Sequence, residues 1–393
     1  MRRLLLWSFL VAVFFPATGC GQSPPASQPG QKVYQLNGHE FAVEAVATGL
    51  TVPWSLAWMP GGQMLVTQRP GRLSLVEPGG KAREISGLPK VDVKGEHGLM
   101  GMALSPTFEK DRLIFLSLTG PSPDSSRVNR IIRCRLSEDY RLTDLAVLID
   151  NLPAEDYHDG LPLHFGPDGM LYASTGDAGR GKLAQQQTSL AGKFLRIAPD
   201  GSVPPDNPLP GSPIWTLGNR NCQGFDWSPA TGELYATEHG PSVPVDSAVG
   251  GGDELNRIVK SGNYGWPIYH HDENKPPFIA PLKTWTPAIA PAGAAFYRGD
   301  VFPNWRNLFF FAALRGEALW CVELDPADPS KIRSAQRLMH REFGRLRAVA
   351  MGPDGLLYIT TSNRDGRGKA AAGDDKVLRL VPVNNKPTTA PGR

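Results

Sequence analysis

Cysteine is scarce in this chain, at four in 393 residues. No two of Cys134, Cys222 and Cys321 stand at metal-ligand spacing, which excludes a metal site built on cysteine pairs. Their odd number leaves at least one free thiol if the chain is exported. Cys134 in "IIRCRL" and Cys321 in "LWCVEL" lie in strand-like runs, where buried small hydrophobes are expected. Charge of one sign is also lacking. A net charge of +3 with no basic run gives a nucleic acid nothing to bind. Long helical periodicity is absent, whereas glycine (43) and proline (37) are abundant, which argues against an α-rich fold. The longest apolar run, Leu4 to Pro16, has about thirteen residues, short of the ~20 that a spanning helix needs.

That run follows Arg2 and Arg3 and ends in "ATGC". It has the build of a signal peptide over residues 1–19. The cleavage box resembles that of bacterial lipoproteins, with Ala17 where leucine is usual and Cys20 as the lipidated residue. An ordinary secretory signal with a chance cysteine is the alternative. "GQSPPASQPGQ" follows, and such a stretch buries nothing. Residues 20–37 are therefore read as a flexible tether, and 384–393 as a disordered tail. The expected place is the periplasmic or extracellular face of a bacterial membrane, with a lipid on Cys20 as the anchor.

Residues 38–383 carry no second linker. They carry self-similarity instead. "WSLAWMPGGQMLVTQRPGRLSLVE" begins at Trp54, "GMALSPTFEKDRLIFLSL" at Gly101 and "LHFGPDGMLYASTGD" at Leu163. "FDWSPATGELYATEHG" begins at Phe225, a degenerate "AAFYRGDVFPNWRNLFFFAAL" at Ala294, and "VAMGPDGLLYITTSN" at Val349. Each copy is an apolar strand, a Pro/Gly/Asp turn, and a strand rich in Leu, Tyr, Val and Thr. Proline fixes φ at the start of such turns and glycine takes the left-handed position. Six copies spaced about fifty to seventy residues apart predict an all-β fold, a six-bladed β-propeller of four-stranded antiparallel blades. Propellers carry function on the loops over the central channel, so residues that do not repeat are the candidates.

In the third copy these are "HDG" before the first strand and "TGDAG" after the second, bringing His158 and Asp177. Arg220, Arg315, Arg345 and Arg347 enter from later copies. Four guanidinium groups at one mouth would repel unless an anion sat among them, and carboxylates are their natural partner. Scattered surface charges are the alternative. Asp253 and Glu254 are expected in a loop, as oxygen ligands for a hard cation or as solvated acids. No EF-hand pattern is present.

"GEHGLMGMALSP", "HDGLPLHFGPDG…TGDAG", "PDGSVPPDNP", "GNRNCQG", "TEHGP…GGDELNRIVKSGNYGWP", "IAPAG" and "GRLRAV" occur in an order and spacing that resembles the soluble quinoprotein sugar dehydrogenases. These are the glucose/sorbosone and aldose sugar dehydrogenases, which bind pyrroloquinoline quinone (PQQ). The resemblance spans nearly the whole body and implies a six-bladed propeller. It implies oxidation of an aldose's anomeric hydroxyl to a lactone, with hydride transfer to PQQ and an external acceptor, a cytochrome or a quinone. By position it makes His158 the catalytic base and Asp177 the acid that orients it. It makes Arg220 and Asn221 cofactor contacts, and Arg315, Arg345 and Arg347 the clamp on the cofactor's carboxylates. The backbone carbonyls of Gly240 and Pro241 fall at the Ca²⁺ that also binds PQQ. Glu254 and the Tyr264 backbone fall at a second, structural Ca²⁺. Glu96 falls at a polar position near the substrate.

The chain departs from the family at several points. "GLPL" (160–163) replaces "GGRL", so Pro162 removes a charge and a backbone donor beside His158. Ala292 stands for a serine. Cys222 stands for proline or alanine and could place a thiol near the cofactor. "PSVPVDSAVG" lengthens the segment after Pro241, at 242–249. His97 and His239 lie on mouth loops, as substrate contacts or as polar loop residues. Two other classes are therefore kept: a non-enzymatic Ca²⁺-binding propeller for a sugar or protein partner, and a Ca²⁺-dependent lactonase, which needs no arginine cluster.

Overall fold

The computed structural model describes residues 31–122, 126–243, 249–273 and 275–383. The signal peptide, Cys20, residues 244–248 of the lengthened segment and the 384–393 tail lie outside the described residues. Six antiparallel sheets succeed one another along the chain and close into a ring, as the repeats predict. Blade 1 runs Pro53–Trp58, Met64–Gln68, Arg72–Val76 and Ala82–Ile85, from the axis outward. Blade 2 runs Leu99–Leu104, Leu113–Pro121, Arg127–Leu136 and Leu142–Pro153. Blade 3 has Leu163–Phe165, Leu171–Thr175 and Lys193–Ile197. Blade 4 has Cys222–Trp227, Leu234–Glu238, Asp253–Ile258 and Lys283–Trp285. Blade 5 has Pro291–Phe296, Phe309–Ala313, Ala318–Leu324 and Ile332–Leu338. Blade 6 has Leu346–Met351, Leu357–Thr361 and Val377–Pro382. Each repeat supplies the first two strands of one blade, including the degenerate copy at Ala294.

Two blades depart from four strands. In blade 3 the fourth strand shrinks to one bridge, Leu195 to Ile214. Pro204, Pro205, Pro208, Pro210 and Pro213 precede it, and each removes a ladder donor. In blade 6 the fourth strand comes from the other end of the chain. His39–Ala47 pairs with Val377–Pro382, Phe41 opposite Pro382 and Ala42 opposite Val381. A fifth strand, Tyr34–Leu36, pairs onto it. The strand Tyr34–Leu36 thus falls inside the segment 20–37 read as a tether.

The core is divided among the seams between blades. Leu65 and Leu75 of blade 1 pack with Leu116 and Ile132 of blade 2. Phe115 of blade 2 packs with Leu163 and Leu171 of blade 3. Phe194 of blade 3 meets Phe225 of blade 4, and Tyr235 of blade 4 meets Phe296 and Phe309 of blade 5. The largest cluster joins blades 5, 6 and 1 around Phe310, Ile359, Leu380 and Val66. Both faces of most strands are buried, which is why they read as near-continuous apolar runs. Each buried Leu or Phe contributes about 1.5–3 kcal/mol, so every seam is strongly held. Near the axis the innermost strands approach backbone to backbone. A Cβ on Gly224 would collide with the Ala292 carbonyl of the next blade.

Candidate active site

Innermost strands start, and second strands end, on the same face of the ring. The loops there meet over a cavity of about 500 Å³. His158 reaches it from the connection between blades 2 and 3, Arg220 from that between blades 3 and 4, and Arg345 and Arg347 from the start of blade 6. Glu96 and Arg315 also line it. All four sequence-predicted arginines therefore converge on one opening.

His158 Nδ1 lies 2.6 Å from Asp177 Oδ1. The other Asp177 oxygen accepts the Trp266 indole N–H at 2.8 Å, and the Gly179 N–H donates to Oδ1 at 2.8 Å. Burial works against ionisation of Asp177. The His158 hydrogen bond, the charges of His158 and Arg220, and the Trp266 donor outweigh it and hold the carboxyl below its usual range. Nδ1 is thus engaged by the carboxylate, which leaves Nε2 as the nitrogen available to the cavity. His158 has a left-handed backbone, φ 62°. A Cβ on Gly176 would collide with the His158 carbonyl, so the loop closes this tightly only over glycine.

The arginines differ in their partners. Arg345 Nε is bound to Asp365 at 2.7 Å, and Arg367 Nη1 to Glu96 at 2.7 Å. Arg220, Arg315 and Arg347 have no carboxylate partner among the described residues. Arg220 donates to the His239 carbonyl at 2.9 Å and its guanidinium lies 5.1 Å from the Trp266 ring centre. Arg315 donates to the Ser242 carbonyl at 3.2 Å, and Arg347 to Gln223 Oε1 at 3.1 Å. Burial lowers Arg347 to about 10 and also lowers Arg220. Buried cations without counter-charge are costly. Arg220 Nε, Asn221 Nδ2 and His239 Nε2 are buried with no hydrogen-bond partner. Three guanidiniums without a carboxylate partner among the described residues, with Arg220 Nε and His239 Nε2 orphaned at the same cavity, fit a polycarboxylate with further acceptors.

Asn221 sits one layer deeper, where its Oδ1 accepts the Gly160 N–H at 3.2 Å. Gly240 and Pro241 are buried next to His239. The Gly240 N–H donates to Asp253 at 2.8 Å, and the Pro241 carbonyl accepts from Gly251 at 2.7 Å. Asp253 and Glu254 are not in a loop: both are buried in the third strand of blade 4. Strand pairing set by the following "LNRI" overrides the glycine-rich approach. Asp253 ties the mouth together by accepting from Gly240, Ile289 and Ala290. Glu254 lies directly opposite Glu238, an arrangement that costs energy for like charges. Burial, and for Glu254 the neighbouring Glu238, pushes both carboxyls up. Asn256 donates to both, and its Oδ1 is buried and unpartnered. Tyr264 is buried in the hydrophobic cluster of Cys222, Phe225 and Ile258. Two carboxylates and a spare amide oxygen fit a hard cation, although among the described residues no group of three or more His, Cys, Asp or Glu could hold a metal.

Cys222 is fully buried in blade 4, where Sγ lies 3.1 Å from Glu238, and it does not line the cavity. Cys134 and Cys321 are buried in strands, as expected. His239 lines the cavity and burial lowers it to about 3. His97 does not line it: it is buried against Asp159 at 3.0 Å. Sequence reasoning missed Arg367, Gln223, Tyr157 and Trp266. Trp266 stood in the "NYGWP" motif, but nothing there told that its indole would reach Asp177 from 89 residues away.

Fold and site together define a six-bladed propeller with a histidine–aspartate pair facing an arginine-lined cavity. The sequence profile of the glucose/sorbosone dehydrogenase family matches residues 50–372, and the chain belongs to that family. A putative glucose dehydrogenase structure from Thermus thermophilus is 41% identical, with a TM-score of 0.78, covering 87% of this chain and all of that one. The PQQ-bound aldose sugar dehydrogenase of Streptomyces coelicolor is 36% identical, with a TM-score of 0.77, covering 91% and 99%. The aldose sugar dehydrogenase YliI of Escherichia coli is 32% identical over 82% of this chain and 91% of its own.

Proposed function

We propose that this protein is a PQQ-dependent dehydrogenase that oxidises the anomeric hydroxyl of aldose sugars to lactones. The observation that carries this is the His158–Asp177 pair on a cavity where three guanidiniums have no carboxylate partner among the described residues. When bound, PQQ supplies a two-electron acceptor with three carboxylates, and Ca²⁺ supplies the Lewis acid that polarises it.

Arg220, Arg315 and Arg347 would hold those carboxylates, with Asn221 supporting the loop one layer behind them. The Gly240 and Pro241 carbonyls would be Ca²⁺ ligands, and Glu254 with the Tyr264 carbonyl would hold a structural Ca²⁺. His158 Nε2 accepts the proton of the anomeric hydroxyl as the hydride leaves the same carbon. Asp177 keeps the proton of the neutral imidazole on Nδ1 and stabilises the imidazolium that forms. Trp266 fixes Asp177 and lays its ring against Arg220, so base and cofactor clamp share one support. Electrons leave to an external acceptor, a cytochrome or a quinone.

Residues 31–393 loaded with PQQ and Ca²⁺ should reduce a dye with an aldose panel, and chelation should stop the reaction. Absence of turnover together with no PQQ binding by absorbance titration would give the site to a non-enzymatic sugar- or protein-binding propeller.

A further inference from the structure

His158 has a left-handed backbone, φ 62°, a conformation that costs a non-glycine residue energy. Its side chain is held by Asp177. Its backbone N–H donates to Glu96 Oε2 at 2.9 Å. Glu96 comes from a different connection, between blades 1 and 2, and its own N–H donates to the Asp156 carbonyl at 3.1 Å. The two loops are therefore laced together one turn before the histidine. The remaining Glu96 oxygen accepts Arg367 Nη1 at 2.7 Å. Arg367 belongs to the blade 6 loop, where its N–H is fixed on Asp365 at 2.9 Å. A single line of polar contacts thus runs from blade 6 through the first connection to the residue after Tyr157.

We infer that Glu96 is a positioning residue for His158, holding its backbone while Arg367 locks the carboxylate in place. This rests on the reading of His158 as the base. Each Glu96 oxygen already accepts from a protein donor, the His158 N–H or Arg367, which ties the carboxylate to the loop it supports. Burial opposes ionisation, yet the Arg367 bridge and the His158 N–H keep Glu96 at about 2, so the hold is a charge-assisted one at working pH. An error of ~1 Å in placing a catalytic group costs about 10²-fold in rate, so loosening this hold should be visible in kcat.

Glu96→Ala should lower kcat about tenfold to a hundredfold, with the sugar KM and PQQ Kd changed by less than about threefold. Glu96→Gln keeps an amide oxygen for the His158 N–H but turns its NH2 toward Arg367, so it should recover part of that loss. Arg367→Ala should fall between them. A raised KM with kcat intact in Glu96→Ala, or Glu96→Gln as poor as Glu96→Ala, overturns the inference. A second readout needs neither cofactor nor sugar. With ¹⁵N-histidine labelling, the His158 amide of the apoprotein should be protected from exchange, protected in Glu96→Gln, and at least about tenfold faster in Glu96→Ala. Equal exchange in wild type and Glu96→Ala overturns the inference. An inactive wild type with this exchange pattern intact removes the dehydrogenase reading alone.

Discussion

His158, Asp177 and the arginines act through single atoms, so their predictions belong to the residue. His158→Ala should abolish sugar oxidation and leave PQQ affinity within about threefold, because base catalysis contributes about 10²–10⁴-fold and no binding. Asp177→Asn should also cost activity, since an amide in place of the carboxylate disfavours the tautomer with Nδ1 protonated. Arg347→Ala should instead weaken PQQ itself by about tenfold or more in an absorbance titration, the loss of one buried charge-assisted contact. Residue identities and spacing made these groups legible. What stayed hidden was partnership: the sequence offers four arginines as equals, but the structure gives Asp365 to Arg345 and, among the described residues, no carboxylate to Arg220, Arg315 or Arg347.

At the level of elements, strand pairing decides chemistry. Glu238 and Glu254 are brought opposite each other by the second and third strands of blade 4, a pairing no linear motif displays. Ca²⁺ should raise the melting temperature of the apoprotein, and Glu254→Gln should remove most of that shift in a thermal scan. The "TGDAG" turn makes the same point. Gly176→Ala should displace His158, because the added methyl meets its carbonyl oxygen. The expected result is a folded but inactive variant by circular dichroism and dye reduction. As part of the "DEL…NYGWP" stretch, Asp253 and Glu254 read as loop acids. The pairing of "DELNRI" with Leu234–Glu238 buried them instead.

For the whole molecule, ring closure and pH response are the relevant quantities. Removing residues 31–47 deletes the strand that zips onto Val377–Pro382 and should lower the melting temperature far more than any surface substitution. Glu96 has a folded-state value of about 2 against 4.5 for the free side chain. Its contribution, about 3 kcal/mol at most, is complete above pH ~4.5 and is lost as pH falls toward 2. Asp177, also depressed, acts in the same direction. Arg367→Ala should move the acid loss of stability to higher pH in a series of melts. We further propose that the propeller is exported and tethered by a lipid on Cys20, at the periplasmic or outer face. Radiolabelled palmitate should enter wild type and not Cys20→Ala.

The six repeats, their turn chemistry and the unrepeated His158, Asp177 and arginines were written in the linear order of residues, because local propensity and periodicity act over a few positions at a time. That was enough for the architecture and for most of the cavity wall. The tertiary structure alone decided which blade-6 strand the N-terminal segment would complete, that Trp266 would support Asp177, and that Glu96 and Arg367 would meet. The Trp266–Asp177 and Glu96–Arg367 contacts alone join residues 89 and 271 positions apart in the chain. They exist because a closed ring returns distant loops to one axis, a constraint that no local window of sequence contains.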